Sequence, residues 1–287
     1  MKTKILAVVL LLVVLSMSGF ACGGEGLEVG MSAEEIEIRD ETIVAGAELD
    51  TYQLDGVMTM NMLMTIDGET FVASMLVDMD GAIDKSNAEM YTDMDIIMKM
   101  TGEEDIEMSM GMYMVDDWIY IGMDMFGTDM MWLKTWMEAG DWYEHDIVTQ
   151  QLDILSDVEV ELVGTDTVGG IECYVLDVMP DIEELWAMME FMGAEAGLPP
   201  ELDLEDVITD YAVRQWVAKD TYFTLKTTES LTMVFTPESF GISPELVGEF
   251  YVTADMAIVI TLHHINEPVT IELPPEAEDA VEVLSID

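Results

Sequence analysis

Four methionines stand at every second position in Met58-Thr59-Met60-Asn61-Met62-Leu63-Met64. The spacing recurs with Met75 and Met79, with Met90, Met94, Met98 and Met100, and with Met108, Met110, Met112 and Met114. These four runs hold 14 of the chain's 28 methionines. Successive side chains of a strand point to opposite faces, so each run puts its thioethers on one side. Methionine is a poor strand former beside valine, isoleucine or tyrosine. It is unbranched and polarizable, and it recurs on surfaces that adapt to variable apolar partners. Three uses fit the pattern. One is a soft-walled cavity for acyl chains or similar ligands. A second is a solid, methionine-rich core with no ligand, in a structural or interaction protein. A third is copper held by the Met58–Met64 and Met108–Met114 ladders, since thioether sulfur is a soft ligand. No His or Cys stands in either ladder.

Other chemistry is sparse. The histidines are His145, His263 and His264. The last two are neighbours on an expected strand, so they are expected to face opposite ways and share no metal. There is no His-Glu-x-x-His, Gly-x-Ser-x-Gly, Ser-x-x-Lys or glycine-rich phosphate loop. Asp78-Met79-Asp80-Gly81 opens like a calcium loop but lacks the later bidentate glutamate, so Asp80-Gly81 is expected to be a plain turn. We therefore expect no catalytic residue, no cofactor and no metal site, and not an enzyme. The formal charge of −51, from 60 acidic and 9 basic residues, excludes nucleic acid as a partner. At 51% apolar the chain can still fill a core. The acidity fits either a salty habitat, where screening removes self-repulsion, or loose binding of divalent cations.

The elements that must position the methionines begin after a targeting segment. Residues 1–21 read as a signal peptide: Lys2 and Lys4, an apolar Ile5–Leu15, then small residues up to Ala21. Cys22 follows at once and is the expected lipidation site of a bacterial lipoprotein. An ordinary signal peptide or an uncleaved anchor helix would place the body on the same side, because Lys2 and Lys4 hold the N-terminus inside. From Cys22 the chain would keep 7 basic and all 60 acidic residues. Cys173 lies in an apolar run and is expected to be a buried thiol.

Residues 22–31 read as a flexible tether. Ser32 can cap a helix ending near Asp50, with Glu34 and Glu35 in its first turn. Period-2 runs follow at Val57–Ile66, Phe71–Met79, Ala88–Met100, Glu107–Val115 and Trp118–Met123, an antiparallel meander. A helix is expected over Asp146–Ser156, and a hairpin pairs Val158–Val163 with Glu172–Val178 across Gly169-Gly170. Asp181–Met192 is an amphipathic helix with Ile182, Leu185, Trp186, Met188, Met189 and Met192 on its apolar stripe. Strands return at Tyr211–Ala218, Tyr222–Phe235, Glu249–His264 and Pro268–Leu273. One domain over 32–277 and an acidic tail over 278–287 complete the reading.

Two stretches carry a family likeness. Trp216-Val217-Ala218-Lys219-Asp220-Thr221 is similar to a strand-turn-strand signature, and Pro268-Val269-Thr270-Ile271-Glu272-Leu273-Pro274 to a closing strand. With the order of elements, the chain resembles the LolA/LolB-like superfamily, and within it the LppX/LprG type of lipoprotein. The resemblance implies an α+β fold: a strongly curved antiparallel β-sheet, a half-barrel, with helices packed on its concave face. It also implies a cavity for lipid or lipidated cargo, with Asp181–Met192 and the Pro199-Pro200 loop as its lid. The expected lining is Met58, Met60, Met62, Met64, Met94, Met98, Met110, Met112, Leu185, Trp186 and Met189. The expected protein is a monomeric lipoprotein outside the cytoplasmic membrane, anchored to it by lipid and holding a hydrophobic ligand.

Overall fold

The structure, a computed structural model, describes residues 30–66, 68–125, 130–137, 155, 158–179, 207–237, 239 and 250–283. Ser32 caps helix α1, Ala33–Ala47. Its backbone N–H donates to the Glu35 carboxylate at 2.6 Å while its hydroxyl accepts from the Glu35 N–H, a reciprocal box that satisfies two helix-end donors. The Glu35 carboxylate also accepts from the Leu162 N–H. That bond, with those from Ser32, holds its pKa below the usual glutamate range.

Twelve strands form one sheet. They are β1 Thr51–Ile66, β2 Glu69–Asp84, β3 Glu89–Met100, β4 Ile106–Val115, β5 Trp118–Met125 and β6 Met131–Trp136 in the first half. The second half holds β7 Glu159–Val168, β8 Ile171–Met179, β9 Ile208–Ala218, β10 Thr224–Phe235, β11 Phe250–His263 and the short β12 Val281–Glu282. The spatial order is β12-β6-β5-β4-β3-β2-β1-β11-β10-β9-β8-β7. Two meanders, β1 to β6 and β7 to β11, join where β1 pairs antiparallel with β11. Only β12 runs parallel to its neighbour, β6. The sheet is open, with β7 and β12 at its edges. This is the large antiparallel sheet the alternation implied. Among the described residues α1 is its one α-helix longer than a turn. The expected helix Asp181–Met192 and all but Leu155 of Asp146–Ser156 lie outside the described residues.

Two-residue hairpins close two of the turns, the second where the sequence marked it. Asp116 and Asp117, both with positive φ, join β4 to β5, and Gly169-Gly170 join β7 to β8. The expected turn at Asp80-Gly81 is not one. β2 runs straight through it, paired with Asp55 and Leu54 of β1 and with Asp93 and Thr92 of β3. The glycine serves close strand approach instead: a Cβ on Gly81 would lie 2.7 Å from the Tyr91 carbonyl oxygen. Backbone cannot swing aside as a side chain can. Gly81→Ala should therefore lower stability by about 1–3 kcal/mol, read as a drop in the urea midpoint.

The expected strand Pro268–Leu273 is also absent. His264 and Asn266 adopt positive φ, and the Asn266 N–H donates to the Thr51 carbonyl, turning the chain off the end of β11. Pro268 has no N–H to offer a ladder. The segment instead brings Leu273, Ala277 and Ala280 against Tyr113 and Trp132. Within the expected tail, Ala280 is buried and Val281–Glu282 pair with Leu133 and Lys134 of β6.

Candidate functional site

Register decides which side chains share a face. Met58, Met60, Met62 and Met64 of β1 stand opposite Val77, Met75, Ala73 and Phe71 of β2. On the other side they meet Ile258, Met256, Ala254 and Val252 of β11. The same phase continues through Met98, Ile96 and Met94 of β3 to Met108, Met110 and Met112 of β4. Beyond β11 it continues through Leu231 and Met233 of β10. The thioethers thus converge on one side, here called the methionine face. Met58, Met60, Met62 and Met64 are each 2% exposed, and Met98 is buried with them. Met94, Met110 and Met112 pack half-buried against the same cluster. The structure therefore brings together all eight expected lining residues on the sheet. Leu185, Trp186 and Met189 lie outside the described residues, as does Cys22.

Helix α1 lies on this face, at the β7–β9 end. Ile38 packs with Leu176 and Val217, which the register puts in phase with the methionines, and Arg39 reaches the Val158 carbonyl. At the opposite end the face is uncovered: Ile121, Met123, Met131 and Leu133 are exposed. A gap of about 20 Å3, bordered by Met60, Met62, Met75, Met98, Met100 and Ile106, has room for about one water.

One row across the methionine face is apolar with a single exception. It runs Val178, Val213, Glu229, Ile258, Met58, Val77, Ile96 from β8 to β3. Glu229 is partly buried by surface area, but its carboxyl lies deep in the protein. Loss of hydration alone pushes its pKa from 4.5 up to about 7. In the next row Gln215 of β9 is 3% exposed, and its Oε1 has no hydrogen-bond partner. Sequence reasoning missed both. The signal was available as phase: Thr227, Glu229, Leu231 and Met233 alternate on one face, which puts a charged side chain at a core position.

The other face of the sheet is acidic. Asp80 stands opposite Asp55 and Asp93, and Asp78 opposite Asp95. With Asp124 they border an open depression of about 910 Å3. The Tyr113 hydroxyl donates to Asp93 Oδ2 at 2.7 Å. Burial raises the Asp93 pKa, the Tyr113 bond pulls it down, repulsion from Asp80 and Asp95 adds to the rise, and the net shift is upward. Among the described residues no three acidic, His or Cys side chains are grouped to hold a metal ion. Like charges directly opposite on a sheet repel. Asp80→Asn is thus expected to raise stability at low salt by up to about 1 kcal/mol. The gain should fade in 1 M NaCl, where the screening length is about 3 Å; thermal melts at the two salt levels measure it.

His263 and His264 correct the expectation that they face apart. β11 ends at His263, and the positive φ of His264 breaks the alternation. Their Nδ1 atoms come within 2.7 Å, and His263 Nε2 lies 3.1 Å from Asp55 Oδ2. Cys173 is free and fully buried, and burial raises its pKa, as its apolar run implied. Among the described residues no helix is long and apolar enough to cross a membrane.

No family profile matches the sequence, and no curated protein does. Solved structures do resemble it. Lipoprotein LppX from Mycobacterium tuberculosis is 13% identical, covers 84% of this chain and 100% of its own, and superposes with a TM-score of 0.39. LprF from Mycobacterium bovis is 12% identical over 85% of this chain and 98% of its own, with a TM-score of 0.44. An outer membrane lipoprotein-sorting protein domain from Vibrio parahaemolyticus is 10% identical over 83% and 94%, with a TM-score of 0.23. The expected likeness to LppX-type lipoproteins is thus found among solved structures.

Proposed function

We propose that this chain is a cell-envelope lipoprotein, anchored through Cys22, that holds a lipid or other hydrophobic ligand against its methionine face and catalyses nothing. One observation carries the reading: the methionines of neighbouring strands share one face, in a single cluster that runs out into exposed apolar side chains at β5 and β6. Each CH2 of an acyl chain buried there would contribute roughly 0.8 kcal/mol. Thioether side chains turn at little cost, so the wall can open for a guest and close behind it. Leu185, Trp186 and Met189 are proposed as the lid side of the site.

A second reading is a structural lipoprotein with a solid core; the gap beside Met60, Met75 and Met98, at about 20 Å3, holds no acyl chain and supports it. Native mass spectrometry of the protein purified from its own membranes separates the two. Co-purifying lipid supports the carrier. A clean apo mass, together with failure to take up any added lipid, supports the solid core and removes the carrier.

A further inference from the structure

We propose that Gln215 and Glu229 form a polar anchor set into the methionine face, binding the uncharged, hydroxyl-bearing head of a lipid whose chains lie along the methionines. The inference rests on the carrier reading and adds the class of ligand. Gln215 stands opposite Thr227, and Glu229 opposite Val213, so the two are diagonal neighbours on adjacent strands of one face. Diagonal pairs lie about 7–8 Å apart, a span one small head group can bridge.

Each side chain is incomplete as it stands. The Gln215 Oε1 is buried and accepts nothing, and a buried acceptor without a donor is costly to keep. Glu229 stands between Val213 and Ile258, and among the described residues no hydrogen bond or neighbouring charge adds to the effect of its burial. A fold that needed only a core would gain by placing leucine at either position. A carboxyl in apolar surroundings stays protonated over a wide pH range and so both donates and accepts. A ligand hydroxyl can donate to Gln215 Oε1 and accept from the Glu229 acid, which completes both.

An anionic head is disfavoured by what lies nearby. On β9 and β10 the cations point to the other face: Arg214 pairs with Asp177, and Lys226 lies over the Trp216 ring. On α1, Arg39 is occupied by Asp40 and the Val158 carbonyl. A phosphate at the anchor would meet a carboxyl and no counter-charge.

The test titrates the full chain in detergent with 1,2-dioleoylglycerol, with its O-acetylated counterpart and with dioleoylphosphatidylglycerol, counting bound lipid by native mass spectrometry. The free alcohol should bind at least about tenfold more tightly than the acetylated lipid, the scale of one well-made hydrogen bond at a buried site, and phosphatidylglycerol should bind more weakly than the alcohol. Gln215→Leu and Glu229→Leu should each bring that ratio toward one while leaving the acetylated lipid bound as well or better. Glu229→Gln, which keeps a donor and an acceptor, should retain the preference. Equal binding of alcohol and acetate by the parent protein overturns the anchor, as does a preference that survives both leucine variants or a preference for phosphatidylglycerol. In each of those cases lipid still binds and the carrier stands; failure of all three lipids to bind sinks the carrier with the anchor.

Discussion

Met60→Ala, on the sheet's long central strand, is expected to cost about 2–5 kcal/mol of folding stability. Met60 is 2% exposed and stands between Met75 of β2 and Met256 of β11. Truncation removes its transfer free energy and leaves a hole whose walls collapse only in part. Met60→Leu, close in volume, should cost under about 1.5 kcal/mol. Urea unfolding of the three proteins gives both numbers. Their spread is informative about the site. A solid core should place Met60→Ala near the top of the range. A wall that relaxes around variable guests should place it near the bottom, and lipid should then restore part of the loss by filling the hole.

Glu229→Gln is expected to change how stability depends on pH. In the unfolded chain the carboxyl titrates near 4.5, and in the folded protein near 7. Between those values the unfolded state has lost its proton while the native state keeps it, so the parent loses stability as pH rises through that window. Below 4.5 and above about 7 the contribution is flat. A shift of that size corresponds to about 3 kcal/mol. Glu229→Gln should remove this slope, matching the parent near pH 4.5 and exceeding it by about that amount at pH 8. Glu35 and Asp84 act in the opposite sense. At Asp84 burial raises the pKa, but hydrogen bonds from Ser86 and Asn87 more than offset it, and both groups are held below their usual range. Their stabilisation is present above their unfolded values and is lost in acid below them, outside the Glu229 window. Chemical unfolding from pH 5 to 8 measures the difference, and parallel profiles for parent and variant would rule out a desolvated acid at this position.

The meander from Met58 to Met123 was legible because each strand alternates apolar and polar side chains cleanly enough to fix its phase. The helix start at Ser32 was legible because capping is local chemistry. Asp80-Gly81 misled for a physical reason. The same dipeptide that favours a hairpin also suits a strand crowded by its neighbour's backbone, and only the Tyr91 carbonyl, ten residues on, distinguishes the two. Pro268–Leu273 misled because Val269, Ile271 and Leu273 alternate as a strand does, while the segment leaves the sheet at His264 and Asn266. β6 lay hidden in a stretch dense in tryptophan and methionine, where apolar residues on both sides blur the period. The expected site was half legible. Its methionine wall follows from spacing; strand phase marks Glu229 as a charged residue at a core position, but that Gln215 and Glu229 are diagonal neighbours follows only from the β9–β10 register, which no local pattern encodes.

The seam between the two meanders has a consequence for how the chain is made. Met58 pairs with Ile258, 200 residues further on. Each meander can zip up from neighbouring hairpins, but their union waits until nearly the whole polypeptide has emerged. Until then the bare flank of β1 and its oily row are open to any passing strand, the hazard of slow, non-local sheets. A nascent chain of this design should need an escort through synthesis, and losing only its last forty residues should leave an aggregate and not a smaller version of the same protein.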